Sequence, residues 1–130
     1  KPLSIDTYKS EVMSAALAGG ADMINDICGF ASEESLKAVA GYDCGLCVMH
    51  MQGNPKSMQN RPRYEDVIGE VSDFLERQVL HLKEAGISED RICIDPGFGF
   101  GKSLEDNLVL LRNMVCLFWQ DCRVSQSWLR

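Results

Sequence analysis

Asp6, Asn25, the pair Met49 and His50, and Asp95 each stand where a short apolar run of the chain stops. A carboxylate accepts hydrogen bonds from ring N–H and amino groups, a carboxamide both donates and accepts, and a thioether packs on a flat face. Together these groups suit a flat nitrogen heterocycle. Each has a simpler reading alone, because Asp or Asn after a strand is commonly a turn or helix cap, favoured at a single position by roughly two to one. Recurrence in consecutive units shifts the balance towards a shared site.

The last of these residues opens the loop Asp95-Pro-Gly-Phe-Gly-Phe-Gly-Lys102. A Walker A loop requires glycine where Pro96 stands, and a dinucleotide fingerprint requires glycine where Lys102 stands, so neither phosphate-binding template fits. The alternating glycines give the backbone freedom to adopt unusual angles. Phe98 and Phe100 are then expected to point to opposite sides, one inward and one to the loop surface. The simplest reading of Lys102 is a solvated charge.

Elements able to position these groups can be read along the chain. Short apolar runs alternate with longer helical periodicities, the pattern of repeated βα units on a parallel sheet. Strands are expected at Leu3–Ile5, Met23–Ile24, Leu46–Met49 and Ile92–Ile94. A helix over Lys9–Ala18 stops at Gly19-Gly20, and Ser32 caps a second. Val67, Ile68, Val71, Phe74, Leu75, Val79 and Leu82 recur at three- and four-residue steps, and Gly86 ends that helix. Ser103 and Asp106 form a capping box for a fourth. In parallel α/β folds the carboxyl ends of the strands face one side, so the four strand ends converge.

Composition narrows the ligand class. The 130 residues are 45% hydrophobic and 25% charged, ordinary for a globular chain with one core. A net charge of -6 argues against nucleic acid and membrane surfaces, both of which need a basic footprint. No apolar stretch approaches a membrane span and no leader precedes the first strand, so a cytoplasmic location is expected. Of the 6 cysteines, Cys28, Cys47 and Cys93 lie in or beside apolar runs and read as small core hydrophobes. Cys44 and Cys47 have the spacing of a zinc or redox half-site but lack a second pair, giving that use about one chance in ten.

Four motifs now carry a resemblance: Ser4-Ile-Asp-Thr7, Ile24-Asn-Asp-Ile27, Met49-His-Met-Gln-Gly-Asn-Pro55 with Met58-Gln59, and Asp95 to Lys102. In this order they resemble the dihydropteroate synthase family, over about residues 2–113. The methyltetrahydrofolate methyltransferases share the Asp/Asn/Asp strand ends, but the third and fourth motifs are more similar to the synthases. The resemblance implies an α/β fold: a partial TIM-type (β/α)8 barrel of about four βα units, similar to strands 3 to 6, with an open parallel sheet. It implies that Asp6, Asn25 and Asp95 hydrogen-bond a pterin ring, that Ile27 and Met49 line it, and that Phe100 lies near p-aminobenzoate. The implied reaction is a transfer joining 6-hydroxymethyl-7,8-dihydropterin diphosphate to p-aminobenzoate. Mg2+ is implied as cofactor, with its ligand on a family strand that has no counterpart here, and a homodimer is implied for full-length members. No catalytic residue is assigned within the chain.

The resemblance also sets expectations about extent. A closed barrel needs eight strands and about 250 residues. The chain opens on what resembles the third strand, and residues 114–130 do not resemble the family's seventh-strand Ser-Arg-Lys motif. The expected division is a pterin-binding barrel fragment, 1–113, and a divergent tail, 114–130, whose origin is a reading-frame change, a gene-model error or a fragmentary read. Its alternative is a divergent last strand over Val115–Trp119. Two unpaired sheet edges are expected, and a fragment that binds pterin without turnover, or is purely structural, is the second functional reading.

Overall fold

A computed structural model of the chain describes residues 1–53 and 63–114. Strands and helices alternate: β1 (Ser4–Asp6), α1 (Ser10–Ala18), β2 (Met23–Asp26), α2 (Glu33–Ala40), β3 (Gly45–Met49), α3 (Val67–Glu84), β4 (Ile92–Asp95) and α4 (Leu104–Arg112). The strands form one parallel sheet in chain order. Consecutive order with right-handed crossovers puts every helix on the same face. Burial agrees: Ile24, Leu46, Val48 and Ile92 are buried under the helices, whereas Met23, Asn25, Cys47 and Cys93 on the other face are half-buried.

The expected elements are all present, with small differences at their ends. β1 begins at Ser4 and includes Asp6, and β2 extends through Asp26. The strand-end polar residues are therefore the last rungs of the ladder, with Asp6 beside Asn25 and Met49 beside Asp95. Ser32 caps α2 by accepting from the Ser35 N–H, and Ser103 with Asp106 closes a reciprocal capping box on α4. On α3 the stripe Val67, Val71, Leu75, Val79 and Leu82 is buried, each side chain contributing roughly 1.5–3 kcal/mol.

β1 and β4 each have one strand neighbour among the described residues, which leaves the two expected sheet edges. No helix among the described residues is long and apolar enough to cross a membrane. Residues 54–62, which include Asn54, Pro55, Met58 and Gln59, lie outside the described residues, as do 115–130 with the expected Val115–Trp119 strand.

Candidate functional site: the uncovered face of the sheet

Register decides which strand-end groups share a face. Asp6, Asn25, Cys47 and Cys93 occupy one row across the sheet. Two residues further along their strands, Met49 and Asp95 form the next row on the same face. The helix-free face thus carries two carboxylates, a carboxamide and a thioether at the carboxyl ends of four neighbouring strands. This is the convergence expected from the sequence.

Asn25 is the informative member. Its Oδ1 is buried and has no hydrogen-bond partner among the described residues. An orphaned buried acceptor costs about 1–3 kcal/mol unless something supplies a donor. A ligand N–H or amino group meets that need.

Asp26, one residue on, faces the opposite way and takes the simpler role. Its Oδ1 accepts from the Cys28 N–H at 2.8 Å and its Oδ2 from the Phe30 N–H at 2.9 Å. It thereby holds a turn in which Phe30 is fully buried at φ 58, a left-handed conformation rare for a bulky side chain. Burial raises the Asp26 pKa against the pull of these two N–H bonds, and Asp6 adds to the rise. Asp95 does both jobs: its Oδ1 accepts from the Gly97 N–H at 2.7 Å to start the loop, while its position in the row aims it across the uncovered face.

Ile27 is half-buried in the turn after β2. Met49 is 2% exposed yet stands outside the hydrophobic cluster under the helices. Its Cγ would lie 3.3 Å from a Cβ on Gly97. Met49 is therefore a wall beneath the glycine loop. Phe98 is 38% exposed and Phe100 half-buried, so the two differ in exposure as expected.

Lys102 overturns its sequence reading. It is 4% exposed, not solvated. Its three N–H groups are shared among four acceptors: His50 Nδ1 at 2.9 Å and the carbonyls of Gly97 at 3.0 Å, Phe100 at 3.1 Å and His50 at 3.3 Å. Because an ammonium only donates, Nδ1 is the acceptor and the imidazole proton sits on Nε2. The His50 ring packs edge-on to Phe74 with centroids 5.0 Å apart and tilts against Tyr64 at 6.2 Å. The Tyr64 hydroxyl donates to the Gly101 carbonyl at 2.8 Å. Segments 50–52 and 97–102 are thus locked as one unit, which holds Asp95 in place.

Lys102 was not among the expected site residues, and His50 was singled out only as the neighbour of Met49 at its strand end. The signal was present in their motifs, but the long-range contact was not. Burial, then the Lys102 charge, lowers the His50 pKa from 6.5 to about 4, and burial lowers Lys102 to about 8. Between pH 6.5 and 4 the unfolded chain therefore binds more protons at His50 than the folded one. Its contribution, about 3 kcal/mol, is complete above pH 6.5 and lost as pH falls to 4. Urea unfolding at pH 7 and pH 4.5 should show this loss, and a His50→Gln variant should show a shallower acid dependence.

The cysteines also depart from expectation. Cys44 is buried in the core and pairs by its backbone carbonyl with Arg91 Nε at 2.9 Å. Cys47 and Cys93 lie outside that core, opposite each other on the uncovered face. The Cys44/Cys47 spacing thus marks no half-site. Among the described residues no group of three or more His, Cys, Asp or Glu side chains is placed to hold a metal. The described donors therefore do not fit a magnesium site.

A surface recess of about 950 Å3 lies elsewhere, lined by Glu65, Asp66, Glu70, Asp73 and Asp106 among others. It contains none of the strand-end groups. Among the described residues none of its lining side chains is a buried, unpartnered polar group, whereas the Asn25 Oδ1 is.

Comparison with known proteins places the chain in a family. A model described as pterin binding enzyme matches residues 1–124. Dihydropteroate synthase of Neisseria meningitidis serogroup C is 45% identical over 115 residues, covering 87% of this chain and 41% of that protein. The Escherichia coli K12 synthase is 43% identical over 113 residues, covering 87% and 40%. The Burkholderia cenocepacia synthase, solved in complex with 7,8-dihydropteroate, superposes with a TM-score of 0.82 at 52% identity, over 89% of this chain and 42% of that one. The Stenotrophomonas maltophilia synthase gives 0.86 at 45% identity, over 90% and 44%. The chain spans about two fifths of the length of these relatives, and its four βα units are part of their (β/α)8 barrel. With nearly its whole length matched, the chain belongs to the pterin-binding enzyme family.

Proposed function

We propose that the uncovered face binds a pterin ring as part of a dihydropteroate synthase. The carrying observation is the buried, unpartnered Asn25 Oδ1 in the same row as Asp6 and one row from Asp95. In this reading Asn25 accepts from the ring, Asp6 and Asp95 accept from its N–H and amino groups, Ile27 and Met49 bound it, and Phe100 lies towards p-aminobenzoate. Relatives named dihydropteroate synthase support it, as does the neighbour solved with 7,8-dihydropteroate.

The chemistry follows from charge. As the C–O bond to diphosphate breaks, its electron pair leaves with the diphosphate and positive charge develops on the pterin. Fixed carboxylates against the ring stabilise that charge without reorganising. The p-aminobenzoate nitrogen then forms the C–N bond and loses a proton. A cytoplasmic setting and a homodimer of the full-length enzyme complete the reading.

A second reading, pterin binding without turnover, is favoured by Lys102, whose ammonium is already engaged by carbonyls and so is not free to meet a diphosphate. The two readings separate on product: 7,8-dihydropteroate formed from the diphosphate substrate and p-aminobenzoate supports the enzyme, and saturable pterin binding alone supports the second. In either case Asp95→Asn should weaken pterin affinity by about tenfold or more, the scale of one lost charge-assisted hydrogen bond. Unchanged affinity in an isothermal titration would remove Asp95 from the ring site.

A further inference from the structure

Cys47 and Cys93 are cross-strand partners in the β3–β4 ladder, and each thiol shifts the pKa of the other. Both are half-buried on the uncovered face, in the row that also holds Asn25. We propose that they form a bidentate dithiol site for a soft, thiophilic trivalent arsenic centre.

Geometry selects this ligand class over a disulfide. Neighbouring parallel strands lie about 4.8 Å apart, which sets the scale for the two β-carbons, whereas a disulfide draws its β-carbons to about 3.8 Å. A bridge with one atom between the sulfurs spans the gap without pulling the strands together. Two thiols prealigned by the ladder close the chelate with little further loss of freedom, an advantage that a single cysteine lacks.

The contact with Cys93, burial and the nearby Asp95 and Asp6 carboxylates all push the Cys47 thiol up. The contact with Cys47 pulls the Cys93 thiol down, against burial and Asp95, and the matching reagent is one that condenses with thiols. An organoarsenic oxide does so: two S–H bonds and the arsenic–oxygen bond are replaced by two S–As bonds, and one water leaves with both protons. No electron is transferred, and the inference does not depend on the pterin reading.

Phenylarsine oxide is the probe. With the reduced chain and one equivalent of reagent, intact mass should show a single phenylarsenic adduct less two hydrogens. Alkylation by iodoacetamide should then be lost at Cys47 and Cys93 together, with Cys28 and Cys44 unchanged. Cys47→Ser and Cys93→Ser should each abolish the adduct, and Cys44→Ser should retain it. Protection of any other cysteine pair in the wild-type chain, or alkylation of Cys47 and Cys93 unaffected by the arsenical, overturns the proposal without reference to how the variants fold.

Discussion

Gly97→Ala is expected to destabilise the chain by about 4 kcal/mol or more, a shift measured as a lower urea midpoint with an unchanged slope. Gly97 sits at φ 69, where an added Cβ would stand 1.9 Å from the His50 carbonyl oxygen. That oxygen is backbone and is held by Lys102 Nζ, so it cannot rotate away. Left-handed strain accounts for roughly 1–2 kcal/mol, and the remainder comes from prising the loop off β3. Gly99→Ala provides the comparison: φ is 80, but an added Cβ meets nothing within 4 Å. It should cost only the strain. Equal losses for the two variants would show that close approach to His50 is not what the first glycine of the loop secures.

Lys102→Met should cost about 3 kcal/mol or more, because each buried acceptor left without a donor costs about 1–3 kcal/mol. Methionine fills similar volume, so the loss is one of donors. The carbonyls of Gly97, Phe100 and His50 and the Nδ1 of His50 all lose the same ammonium. Lys37→Met is the contrast, since the Lys37–Glu33 pair is 76% and 78% exposed and its loss should stay within about 0.5 kcal/mol. Backbone amide exchange checks the location: protection should fall across 97–102 in Lys102→Met and persist on α1. Because burial is the larger cause of the lowered His50 pKa, part of the acid dependence should survive in this variant. A loss no larger than that of Lys37→Met would return Lys102 to the solvated role suggested by its sequence.

Much of this arrangement was legible in the residues. Alternating strand and helix periods gave the four βα units, and the Ser32 and Ser103 caps marked helix starts within a residue. The convergence of Asp6, Asn25, Met49 and Asp95 followed from the parallel topology alone. Contacts between segments distant in the chain were not legible. Whether Asn25 or Asp26 faces the site depends on register, and only pairing with Asp6 and Cys47 assigns it. Lys102 ends a glycine loop, where solvent exposure is the ordinary fate of a lysine, and its burial needs His50, which follows the neighbouring strand β3. The same reason hid the thiol pair: Cys44 and Cys47 are close in sequence, yet Cys47 meets Cys93 because β3 and β4 are neighbours.

The central claim is that the helix-free face, and not the acidic recess by α3 and α4, receives the pterin. Titrating the isotopically labelled chain with 6-hydroxymethyl-7,8-dihydropterin and following the Asn25 side-chain amide by NMR tests it directly. Saturable shifts at Asn25, Asp6 and Asp95, absent in Asn25→Ala, are the predicted result. Shifts confined to Glu65, Asp66, Glu70 and Asp73, or a silent Asn25 at saturating ligand, would contradict it.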